Sequence, residues 1–181
     1  MYGMINDAIR QMVTERHGED AWEEMRRRAD ADLVFLRMAQ YPDALTYRLV
    51  AIATEMLGTE VDAVLRAFGD YWIDYADEAY GELLAVSGDS FVEMVENLND
   101  LHTRVGQLMP DLKPPSFHLT EQSAGSFRLH YHSTRDGLGP MVVGLLEGLG
   151  RRYRTAVEVE HVVRRDAADD HDEFLVRYRP A

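Results

Sequence analysis

The hydrophobic period of this 181-residue chain shifts at one proline-rich break, and that shift fixes its fold class. Up to Met109-Pro110 the apolar residues recur in steps of three and four, and beyond Phe117 stretches that alternate apolar with polar residues flank a single further helical one. Steps of three and four line one stripe of a helix, whereas alternation lines one face of a strand. Between the two regimes lies Lys113-Pro114-Pro115-Ser116, which cannot be helical because each proline excludes α backbone at its predecessor. The pattern predicts an α+β fold in one domain spanning residues 1–181. A helical N-terminal lobe of about residues 1–110 is followed by an antiparallel sheet lobe of about residues 111–181 with a covering helix.

Individual elements follow from stripes and punctuation. Ile5, Ala8, Ile9, Met12 and Val13 form the first helical stripe, which closes near His17-Gly18. A short second helix carries Trp22 and Met25, and a third runs from Tyr41-Pro42-Asp43 to Gly58. The fourth holds Val61, Val64, Leu65, Phe68 and Trp72, with a separate short segment around Leu83-Leu84. After the Ser87-Gly88-Asp89-Ser90 turn, Phe91, Val95, Leu98, His102, Val105 and Met109 step by 4, 3, 4, 3 and 4, as expected for one continuous helix. Phe117–Leu119 and Phe127–Tyr131 flank a turn at residues 123–126 and read as a hairpin. A helix from Gly137 to Gly150 and strands near residues 156–164 and 172–179 complete the chain.

Composition removes several classes of function. Acidic residues outnumber basic ones 32 to 19, a net charge of −13 that repels nucleic acid and anionic lipid. No apolar run is long enough to span a bilayer, and Met1–Asp7 lacks a basic-then-apolar leader, so a cytoplasmic protein is expected. With no cysteine there are no disulfides, thiolate nucleophiles or cysteine-bound metals, and any haem must be held non-covalently.

The residues with distinctive chemistry sit on either side of the proline break. If Phe127–Arg135 is a strand, Tyr131, Ser133 and Arg135 share a face with Phe127 and Leu129. Two hydroxyls and a guanidinium fork beside an apolar surface suit the charged propionates and apolar ring of a haem. His102, a lone histidine on an apolar stripe, is either a core residue bonded to a carbonyl or an iron ligand. His118, His130 and His132 share the opposite strand face and could bind zinc or copper. No carboxylate is in step with them, which favours a solvent-exposed polar face.

Residues 91–150 resemble the haem nitric oxide/oxygen-binding (H-NOX) family, the sensor domain of soluble guanylate cyclases and of small bacterial proteins. The resemblance rests on His102, Pro115-Ser116-Phe117, Tyr131-x-Ser133-x-Arg135, Gly137-Leu138 and Met141-Val142-Val143-Gly144-Leu145. It implies haem b between the lobes, with His102 on the iron and Tyr131, Ser133 and Arg135 on the propionates. Pro115 would press on the porphyrin and Leu98 would lie against its proximal face. On the distal side, relatives that hold oxygen use a tyrosine. The comparable position here is Met141, with Ile5, Ile9 and Trp72 as the other distal residues.

What the resemblance implies is therefore a sensor of NO, with CO as a weaker ligand, that excludes oxygen and is not an enzyme. Binding trans to His102 would weaken the iron–histidine bond and shift one lobe against the other. Output is expected in trans, to a histidine kinase or a cyclic-di-GMP enzyme. The alternatives are a haem-free regulatory domain whose cavity takes another carboxylated ligand, and a haem peroxidase. The latter is disfavoured by the lack of a distal His/Arg pair.

Overall fold

The computed structural model describes residues 1–31, 34–166 and 169–180. The chain divides into two compact units, Met1–Phe68 and Gly69–Ala181. The change of period thus marks the change from helix to strand but not the boundary between units. The helices after Gly69 share a core with the sheet, so the division falls well before residue 110.

The first unit is built from α1 (Gly3–His17), α2 (Glu19–Ala29) and α3 (Asp43–Leu57), and it contains the start of α4 (Val61–Ala85). The α1 stripe is buried at Ala8, Ile9, Met12 and Val13, and α2 and α3 add Trp22, Met25 and Leu49. Gly58 closes α3 in the left-handed conformation (φ 59°), where its N–H reaches the carbonyls of Thr54 and Glu55. Within this core the Thr46 hydroxyl donates to Asn6 Oδ1 at 2.7 Å.

The second unit contains the rest of α4, then α5 (Phe91–Glu96), α6 (Leu98–Leu108), β1 (Ser116–Ser123), β2 (Ser126–His132), α7 (Gly139–Arg152), β3 (Thr155–Val163) and β4 (Asp172–Pro180). The sheet is antiparallel in the order β1-β2-β4-β3. Burial along β2 alternates as its sequence does, with Phe127, Leu129 and Tyr131 inward. Phe174 and Val176 of β4 and Val142, Leu146 and Leu149 of α7 complete this core.

The segment around Leu83-Leu84 is set off from the body of α4 as expected, by non-helical backbone at Tyr80 (φ −142°, ψ 28°). One helix differs from expectation: the stripe from Phe91 to Met109 is interrupted at Asn97 (φ −91°, ψ 5°), which separates α5 from α6. Asn97 Nδ2 donates to the Ser87 carbonyl at 2.9 Å, and this bond holds the break in place. No helix among the described residues is long and apolar enough to cross a membrane.

Candidate functional site

His102 lies in the middle of α6, a helix in which Leu101 is the one buried residue. Leu98, His102 and Val105 are half-buried on its apolar side. One turn before His102, the Asn99 amide pairs with the backbone of Phe117. Its Nδ2 donates to the Phe117 carbonyl at 2.7 Å, and its Oδ1 accepts the Phe117 N–H at 3.0 Å. α6 is thereby pinned to the start of β1.

The imidazole of His102 is in an unusual state. Burial pulls its pKa below the ordinary histidine value, and the nearby Pro115 carbonyl opposes that shift. No hydrogen bond of regular geometry results at Nδ1, which is buried without a partner. A neutral ring with an unsatisfied buried nitrogen is uncommon in a finished core and is the form in which histidine binds a metal.

From His102 a line of rings leads to Tyr131. His102 and Phe117 have centroids 5.9 Å apart, and Phe117 and Tyr131 lie 5.4 Å apart. β1 and β2 impose this order, since Phe117 and Tyr131 are register partners. Ser133 and Arg135 are placed otherwise than the alternation argument supposed. β2 ends at His132, and the residues after it form a bend. There the Arg135 N–H donates to Ser133 Oγ at 3.1 Å, a local bond that competes with the strand ladder. The Arg135 guanidinium donates to the Lys113 carbonyl at 3.0 Å, two residues before Pro115. Arg165 also donates to the Ser133 carbonyl and pairs with Asp136 at 3.1 Å. Of the residues expected to form a clamp, Tyr131 is thus on β2, while Ser133 and Arg135 are placed by a loop and by the proline linker.

Trp72 and Met141 lie on a second pair of elements, α4 and α7. These helices meet at Gly69, where a Cβ would stand 2.1 Å from the Met141 carbonyl oxygen, and at Gly148, which faces Ile73. Trp72 stacks on Tyr75 with centroids 5.4 Å apart, and Met141 is half-buried. Ile5 and Ile9 belong to the Met1–Phe68 unit, where Ile9 is buried and Ile5 half-buried.

Three further residues at these contacts, Asn99, Gly69 and Arg165, belong to no sequence motif. Asn99 and Arg165 act through backbone groups far away in sequence, and Gly69 acts by lacking a side chain. None of these leaves a periodic trace.

A family model described as Haem-NO-binding matches residues 2–161. The chain belongs to the haem-NO-binding family. Its relatives include the soluble guanylate cyclase gcy-35 of Caenorhabditis elegans, 31% identical over 87% of this chain and 24% of that protein. Another is the soluble guanylate cyclase beta-2 subunit of Rattus norvegicus, 28% identical over 64% of this chain and 18% of that subunit. The chain thus spans about a quarter of the length of the curated relatives it matches. Among solved H-NOX structures, a protein from S. oneidensis in the Fe(II)NO state superposes with a TM-score of 0.90 at 20% identity, covering 99% of both chains. An unliganded Fe(II) protein from K. algicida gives 0.86 at 18% identity, covering 100% of this chain and 98% of that one. The α+β architecture of helices with a four-stranded antiparallel sheet is thus that of the H-NOX fold.

Proposed function

We propose that this H-NOX domain is a non-catalytic sensor of nitric oxide, with CO as a second ligand and oxygen excluded. The observation that carries the reading is His102, a neutral, half-buried imidazole with an unpartnered ring nitrogen on a helix pinned by Asn99. The residues around it fit haem b. His102 would bind the iron, and Tyr131, Ser133 and Arg135 would hold the propionates. Pro115 and Leu98 would lie against the ring on the histidine side, and Trp72 and Met141 on the other. For Ile5 and Ile9 a distal role rests on the resemblance alone. Attachment is non-covalent, since the chain has no cysteine.

When bound, haem would supply a ferrous iron able to take a diatomic gas, with His102 holding that iron. The chain's own residues select among gases. Oxygen draws negative charge onto itself and needs a hydrogen-bond donor, which the Met141 thioether does not provide. NO and CO do not depend on such a donor. Related H-NOX proteins were captured in Fe(II)NO and Fe(II)CO states, which supports this choice. The output is a changed fit to a partner protein, for which a histidine kinase or a cyclic-di-GMP enzyme is the expected class.

The test is spectroscopic. Ferrous haem-loaded protein should change its Soret band with NO and with CO and keep it in air, while Met141→Tyr should make it respond to oxygen. A stable response of the wild type to air, abolished in Trp72→Phe, would show that the indole N–H is the missing donor and that the chain senses oxygen. Purified protein that takes up no added haem would return the reading to a haem-free regulatory domain.

A further inference from the structure

The face of β2 opposite Tyr131 carries the histidines that sequence alone left as a solvent-exposed surface for want of a carboxylate. The fold supplies that carboxylate. His130 on β2 is the register partner of Glu173 on β4, and His171 immediately precedes β4. His130 Nδ1 and His171 Nε2 are 2.9 Å apart. Glu173 Oε1 lies 3.6 Å from the former and 3.3 Å from the latter. A tetrahedral zinc ion with ligands at about 2.0–2.1 Å needs donor atoms about 3.3 Å apart. The three atoms already form a triangle of that size.

The outer contacts of both rings fit the same reading. His171 Nδ1 is 2.6 Å from Asp170 Oδ1. A carboxylate only accepts, so that nitrogen carries the proton and Nε2 presents its lone pair. His130 Nε2 is 2.8 Å from the Thr120 hydroxyl, which can accept as well as donate. His130 can therefore keep its proton on Nε2 and turn the Nδ1 lone pair inward, a tautomer shift with no net loss of a proton. Arg128 holds the other Glu173 oxygen at 3.1 Å, leaving Oε1 directed at the imidazoles. His132 stacks on His171 with centroids 4.3 Å apart and fixes its plane. Ligating histidines whose second nitrogen is tied to a carboxylate or hydroxyl are the usual arrangement of protein metal sites.

We propose that His130, His171 and Glu173 form a second metal site, selective for zinc or a similar borderline divalent ion, that joins β2 to β4. Two imidazoles and one carboxylate leave a fourth position for water. Calcium and magnesium, which prefer all-oxygen shells, do not suit this donor set.

The test is calorimetric titration of zinc chloride into chelator-treated, haem-loaded protein. The wild type should bind one equivalent and unfold at a higher temperature with zinc than without. His171→Gln and the isosteric Glu173→Gln should each bind at least about tenfold more weakly, while Glu158→Gln on β3 should bind like the wild type. Haem content should be equal in all four proteins, because none of these residues belongs to the haem site. No binding by the wild type, or wild-type affinity in His171→Gln and Glu173→Gln, would overturn the proposal.

Discussion

Asn99 and Phe117 exchange two hydrogen bonds, side-chain amide to backbone, across the proline break that separates helix from strand. This exchange sets how far His102, one turn along α6, stands from the ring of Phe117. Asn99→Ala should leave a backbone donor and acceptor of β1 unpaired and cost about 1–3 kcal/mol. Urea unfolding measures the loss. Haem should also dissociate faster if His102 is its ligand, because α6 is no longer pinned. An unchanged midpoint together with an unchanged haem off-rate would show that α6 is held by other means.

His102→Gly removes the sole histidine between Phe91 and Met109. The variant should keep its far-ultraviolet circular dichroism, since α6 buries little, and should bind haem only when imidazole is added. A ferrous spectrum identical to the wild type without imidazole would place the iron ligand elsewhere.

Arg135→Ala should release haem about tenfold faster than wild type, the equivalent of one charge-assisted hydrogen bond. Thr134→Ala, at an exposed position in the same bend, should leave the rate unchanged. Transfer of haem to apomyoglobin reads both rates. Equal rates in the two variants would remove Arg135 from the clamp.

Gly69→Ala offers a test of sign. In an exposed helix this change stabilises by up to about 1 kcal/mol. Here the added Cβ would meet the Met141 carbonyl oxygen at 2.1 Å, so α4 and α7 must separate. The expected result is a loss of about 1–3 kcal/mol, seen as a lower thermal midpoint. A raised midpoint would mean that the two helices are not in close contact in solution.

Legibility in the sequence followed the range of the interaction. The helices, the hairpin and the inward face of β2 were readable because each is a periodicity within one element. His102 stood out because a polar ring on an apolar stripe breaks a local pattern. The break at Asn97 was hidden, because the stripe continues through it while the bonds that hold it reach Ser87 and, from Asn99, Phe117. The end of β2 at His132 has a signal in Ser133, whose hydroxyl accepts from the N–H two residues ahead, but the Tyr131-x-Ser133-x-Arg135 spacing masks it by continuing the strand period. The carboxylate beside His130 could not be found without the strand register, since Glu173 lies on another strand.

The interruption at Asn97 gives the two helical pieces different lifetimes. Phe91, Met94 and Val95 of α5 are each no more than 2% exposed, whereas α6 buries Leu101 alone. Amide hydrogens of α5 should therefore exchange with solvent only when the whole core opens, and those of α6 through a local opening that leaves the sheet intact. A pull on His102 is then absorbed by the least costly part of its unit to move, and the core beneath α5 need not be disturbed.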